Sequence, residues 1–393
     1  MNAEKNLHRA LRRGHVPGEE DAARRAWPLV MQAYADAPRR SRQSSLARGV
    51  LVPVALAAAI VTIALTPPGD AVATFVERVV GTSTPKAKPT SATTLPGGGR
   101  LLVAGQGGLF AVGAGRPPQR FFGDADQATW SAHGRFVAAT RGIELIAVSL
   151  AGRRHWSLHH NSRILDPRWD PADGYRVVYR SGGSLWTVYG NGLYDRRIGP
   201  AWSVAPVFRP HAIHEVAYAK PDGAIVVLGL DSGREILHTA ARLRPRALAW
   251  SPSGQRLLAV SPRWVWITRL DGHFLARFQN PRGTTNVTAA WSPRGGRYAV
   301  LRHDAGGAWR VIVASAGKAS SGRTLLTLHS RLQGLLWSPD GRWIAVAAPH
   351  SDQWLFLRPD ANGALAAIRT ISGVKRRFGG GKAATLQGWS SGT

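Results

Sequence analysis

Cysteine is missing from all 393 residues, which excludes disulfides and thiolate metal sites and leaves stability to packing alone. Catalytic signatures are missing as well. There is no G-x-S-x-G elbow, no H-E-x-x-H and no G-x-x-x-x-G-K-[ST]; the run Gly379–Lys382 lacks the first glycine and the hydroxyl of a phosphate loop. No catalytic, cofactor-binding or metal-ligating residue is therefore assigned, no cofactor is expected, and the chain is read as a non-enzyme. Acidic residues are scarce: 23 Asp and Glu stand against 51 Lys and Arg. Thirteen of the basic and seven of the acidic residues precede position 100, so the remainder carries 38 against 16. Such a field attracts polyanions.

What the chain has in place of these is repetition. A short phrase recurs as W-S-A-H-G-R from Trp130, W-D-P-A-D-G from Trp169, W-S-P-S-G-Q from Trp250, W-S-P-R-G-G from Trp291, W-S-P-D-G-R from Trp337 and W-S-S-G from Trp389. Phe208 opens a variant, F-R-P-H, where a seventh copy is due. The intervals of 39, 39, 42, 41, 46 and 52 residues suit four-stranded propeller blades and are too long for leucine-rich or ankyrin units. Around each copy the physics is that of a hairpin. In residues 335–347 an apolar run ends at Trp337, Pro339 sets φ at a turn, Gly341 tolerates positive φ, and a second apolar run begins at Trp343.

The phrase followed by an apolar run resembles the repeat of TolB-like and WD40-like propeller proteins, a resemblance that implies a bacterial source and covers residues 100–393. It implies an all-β fold of seven four-stranded antiparallel blades. A six-bladed ring is the alternative if the Phe208 unit, with H-A-I-H in place of the usual turn, is distorted. The last copy stops at its turn, and the strand R-L-L-V-A from Arg100 has no preceding phrase. The two halves complement each other, so Ala384–Trp389 is expected to pair with the strand at Leu101 as the inner strand of a shared blade, closing the ring. Trp130, Trp169, Trp250, Trp291 and Trp337 are read as packing between blades.

Ahead of the repeats lies an uncharged stretch from Gly49 to Gly69, long enough for a short membrane span. Arg39, Arg40, Arg42 and Arg48 precede it, so the positive-inside rule places residues 1–48 in the cytoplasm and exports the propeller. The rival reading is a cleaved signal peptide, with Ala71–Ala73 as an A-x-A site; the leader of about 49 residues is long for one. Residues 70–99 form a juxtamembrane segment and a Pro/Thr/Gly-rich linker. In the tail, Trp27 and Tyr34 lie on a short helical pattern that suits a cytoplasmic partner.

Histidines give the only hint of a metal. His211 and His214 sit beside Glu215, and His159 and His160 are consecutive. Neighbouring side chains on a strand point to opposite faces, so these are read as a solvated turn and as exposed strand ends. Asn286–Thr288 is a formal glycosylation sequon. Ala305–Gly322 and His350–Gly363 are the longer polar stretches expected to reach the loop faces.

Taken together, these features describe a single-pass membrane protein whose exported propeller is a binding scaffold for a protein or an envelope polymer, with nucleic acid not expected. The alternative is a transmembrane regulator, since the layout resembles membrane-bound anti-sigma factors. A propeller hydrolase or lyase is the third class; the chain ends at Thr393, so no hydrolase domain is expected to follow.

Overall fold

The computed structural model describes residues 95–391, apart from 114, 241, 318–321 and 380–382. The N-terminal tail of residues 1–48, the apolar stretch 49–69 and the segment read as linker as far as residue 94 lie outside the described residues. Among the described residues no helix is long and apolar enough to cross a membrane.

Seven sheets of four antiparallel strands are present among the described residues. Blade 1 is composite: its inner strand, Thr385–Ser390, comes from the C-terminal end and pairs with Arg100–Gly105, which pairs in turn with Gly108–Gly113 and that with Gln119–Phe122. Leu101 stands opposite Trp389, as the complementary end sequences require. Blades 2 to 7 follow in chain order, with inner strands Gln127–Trp130, Ile164–Trp169, Val207–Phe208, Ala247–Trp250, Thr284–Trp291 and Gln333–Trp337. Each inner strand adjoins the next around the whole ring. The Phe208 unit keeps its blade with an inner strand of only two residues, so the ring has seven blades and not six.

The core is divided as the blades are. Seven apolar clusters are buried, one in each interface between neighbours, including the joint between blade 7 and blade 1. Trp169, Trp250, Trp291 and Trp337 are buried in these interfaces, and Trp130 packs half-buried against the first of them. Two indoles also reach back to the preceding inner strand: Trp250 Nε1 donates to Val207 O at 3.3 Å, and Trp337 Nε1 to Ala290 O at 3.2 Å. Leu95, in the segment read as linker, is buried between blades 7 and 1, and Trp389 Nε1 donates to Gly98 O at 2.9 Å.

The serine of the repeated phrase closes the turn. Ser338 Oγ accepts from Trp343 N at 2.9 Å, and its carbonyl accepts from Gly341 N at 2.8 Å, with Gly341 at φ 62°. Ser131 and Ser251 do the same for Phe136 and Arg256. Because strands run up and down from the channel outward, the turns after the first and third strands of every blade share one face, here the turn face. The turns after the second strands and the links to the next blade share the other, the crossover face.

Candidate functional site

Two blades break the serine pattern, and their departures meet. In blade 3 Asp170 replaces the serine, with Asp173 in the same turn; in blade 4 Arg209 replaces it, and the turn runs on to His214. His214 is buried, with Nδ1 2.6 Å from Asp231 Oδ2 and Nε2 3.0 Å from Asp173 Oδ2. Its backbone N–H donates to Asp170 Oδ2 at 3.1 Å. Arg176 Nη2 donates to the other oxygen of Asp231 at 2.5 Å, and its guanidinium lies 3.9 Å from the centre of the Tyr189 ring. Three acids and two bases from adjacent blades thus form one network on the turn face.

Electrostatics follow from that geometry. Burial by itself would lower the imidazole, but hydrogen bonds to Asp173 and Asp231 outweigh it and lift His214 to about 9. Burial would raise Asp231 and Asp173, yet the bonds from His214, and from Arg176 for Asp231, hold both below the usual carboxylate range. Asp170 goes the other way: burial dominates and raises it to about 6. Asp170, Asp173 and His214 offer ligand atoms within 4.8 Å of one another, a set a metal could bridge. Both imidazole nitrogens already face carboxylates, however, so the arrangement acts as a protonated clamp between blades.

The histidine reading is corrected in part. His211 is exposed, as a turn residue should be, but His214 is not solvated, and Glu215 turns away to Arg209 Nη1 at 2.8 Å. His159 is exposed. His160 is not a free strand end: its side chain is only 8% exposed, edge-on to Trp186 and 2.8 Å from Tyr179 Oη. The sequon is structural as well. Asn286 is fully buried and its amide donates to Ser261 O and Trp264 O, while Arg302 Nε donates to its Oδ1 at 3.1 Å.

Two concave sites are lined by arginine. One, of about 740 Å³, lies on the turn face between blades 6 and 7 and includes Arg294, Arg297, Arg342 and Arg358. Arg294 Nε donates to Asp340 O at 2.5 Å and Arg297 Nη1 to Asp360 O at 2.6 Å, so these guanidinium groups brace the two blades. The other, of about 450 Å³, lies on the crossover face between blades 4 and 5 and includes Arg242, Arg244, Arg246 and Arg263 with Trp202 and Trp264. Of the polar stretches picked from sequence, Asp360–Gly363 line the first cleft. Each stretch spans two turns, so its parts emerge on opposite faces.

No protein-family model matches the chain, and no curated protein matches it. Many solved structures do. Hydrazine synthase of Kuenenia stuttgartiensis aligns over 70% of this chain and 80% of its own at 14% identity, with a TM-score of 0.50. The β-propeller domain of Cps50 (Swd1) from Myceliophteria thermophila aligns over 63% and 86% at 15% identity, with a TM-score of 0.49. At such identity the likeness is one of fold: the chain is a seven-bladed β-propeller. The TolB-like resemblance remains one of repeat phrase and architecture.

Proposed function

We propose that this protein is a non-enzymatic binding scaffold, an extracytoplasmic propeller held to the membrane by residues 49–69 and recognising an anionic protein or envelope polymer. The observation that carries the reading is the cleft between blades 4 and 5, where four arginines converge and, among the described residues, no carboxylate lines the wall. Catalysis needs an acid, base or nucleophile free to act on a substrate. The perturbed carboxylates and imidazole around His214 are instead engaged with one another across two blades. An excess of 38 basic over 16 acidic residues from position 100 onward supports an anionic partner. The arginine-rich flank ahead of residue 49 supports a cytoplasmic N-terminus.

Fractionation of cells making the full chain tests the anchored, exported arrangement. The propeller is expected to stay with alkali-washed membranes and to be digested by protease added to the outside of intact cells. Release into the soluble fraction, or protection of the ring until the cells are broken, would sink it.

A further inference from the structure

Building on the binding role proposed above, we propose that the crossover-face cleft between blades 4 and 5 is a site for a phosphate-bearing polyanion, gripped by Arg242, Arg244, Arg246 and Arg263. Three of these come from the link R-L-R-P-R, residues 242–246, and the fourth from the turn before Trp264. All four are exposed, and among the described residues none of their guanidinium groups makes a hydrogen bond or ion pair. In the turn-face cleft, by contrast, Arg294 and Arg297 are already bonded to backbone carbonyls. Asp222, whose carbonyl accepts from Arg242 N, has its carboxylate engaged with Ala224 N within its own turn.

The cleft is built and not merely charged. Arg242 and Arg244 hold φ of 75° and 43°, a left-handed backbone that non-glycine residues rarely adopt because Cβ crowds the following carbonyl. Their N–H groups are tied to Asp222 O at 2.9 Å and Gly223 O at 3.1 Å, which fixes the strained link against blade 4. The Arg244 guanidinium lies 5.6 Å from the Trp202 ring centre, and Arg277 lies 4.3 Å from that of Trp264. Cations resting on indoles lose less freedom when they bind, and a planar guanidinium fork matches two phosphate oxygens. Four forks within about 450 Å³ suit at least two linked phosphates. Because both indoles already carry an arginine, they are poor platforms for nucleobases.

The test is calorimetric titration of the full chain in detergent with inorganic tripolyphosphate at about 150 mM salt, where charges more than about 8 Å apart are screened. Changing Arg242, Arg244, Arg246 and Arg263 together to Gln is expected to weaken binding about tenfold or more. A control set of equal charge, Arg116, Arg153, Arg234 and Arg269 to Gln, comes from exposed third-to-fourth turns on the opposite face and is expected to change it less than about twofold. Arg263→Gln alone, outside the strained link, is expected to weaken binding about threefold and guards against misfolding of the quadruple variant.

Equal losses in both sets, or none in Arg263→Gln, would overturn the site in favour of a diffuse field. Phosphatidylglycerol in mixed micelles that competes with tripolyphosphate would point to a lipid headgroup as the natural source, and tripolyphosphate binding without competition by that lipid to a soluble polymer; either outcome supports the site. Tighter binding of oligothymidylate than of a phosphate oligomer of equal charge would overturn the ligand class. If tripolyphosphate misses the cleft while the ring still captures a partner in membranes, the ligand falls and the scaffold role stands.

Discussion

Trp389 stands directly opposite Leu101 in a shared sheet, across almost the whole length of the ring. That pairing covers the edge that an open array of blades would expose. Deleting residues 385–393 removes the inner strand of blade 1 with Leu386 and Trp389, two members of the interface with blade 7. A loss of roughly 5 kcal/mol or more is expected, seen as a melting temperature lower by about 10 °C and as association of the opened edges. Unchanged melting would show that closure contributes little.

The repeated tryptophans should not respond alike. Trp250 donates to Val207 O across the interface, whereas Trp130 Nε1 is buried with no hydrogen-bond partner among the described residues. Trp250→Phe is expected to cost about 1 kcal/mol and Trp130→Phe close to nothing. Chemical denaturation of the two variants checks the difference, and an equal cost would remove the bridging role of the indole.

His214 gives a pH signature. Its folded value, about 9, lies above the ordinary 6.5, so its stabilisation is complete below about pH 6.5 and is lost as pH rises through about 9. Asp173 and Asp231 are depressed, so their contribution holds above the ordinary carboxylate value and is lost only in stronger acid. Asp170, raised to about 6, opposes the fold as it ionises between about pH 4 and 6. His214→Ala is expected to destabilise by about 2–4 kcal/mol near neutrality, with a difference from the unaltered protein that shrinks toward pH 9. A difference independent of pH would mean that the imidazole acts through packing alone.

Asn286 is expected to remain unmodified in a host that glycosylates its sequon, because both amide hydrogens are bonded inside the fold. Intact-mass measurement checks this. Asn286→Ala also unpairs the buried Arg302 from one of its two asparagine acceptors, at a cost of about 1–3 kcal/mol.

Blade number, ring closure and the packing role of the tryptophans were legible in sequence because each depends on a local phrase that repeats. The His214 network was not. Its members come from two turns and a third more than a dozen residues on, and only the ring brings them together. A signal was present nonetheless: the serine that closes other turns is Asp170 in one blade and Arg209 in the next, and both departures mark the same interface. The arginine cleft was half legible. R-L-R-P-R is plain in the chain, but Trp202 and Trp264 join it from other loops, and no periodicity announces such a meeting.

Partner capture from native membranes tests the scaffold reading most directly. The full chain would carry a photo-crosslinking residue at Ser203, exposed in the crossover-face cleft, or at Tyr34 in the tail, with products identified by mass spectrometry. A specific envelope protein or anionic polymer joined at Ser203, and none at Tyr34, is the result expected of an anchored scaffold. A transcription or signalling protein joined at Tyr34, with nothing at Ser203, would contradict it and make the propeller one part of a transmembrane regulator.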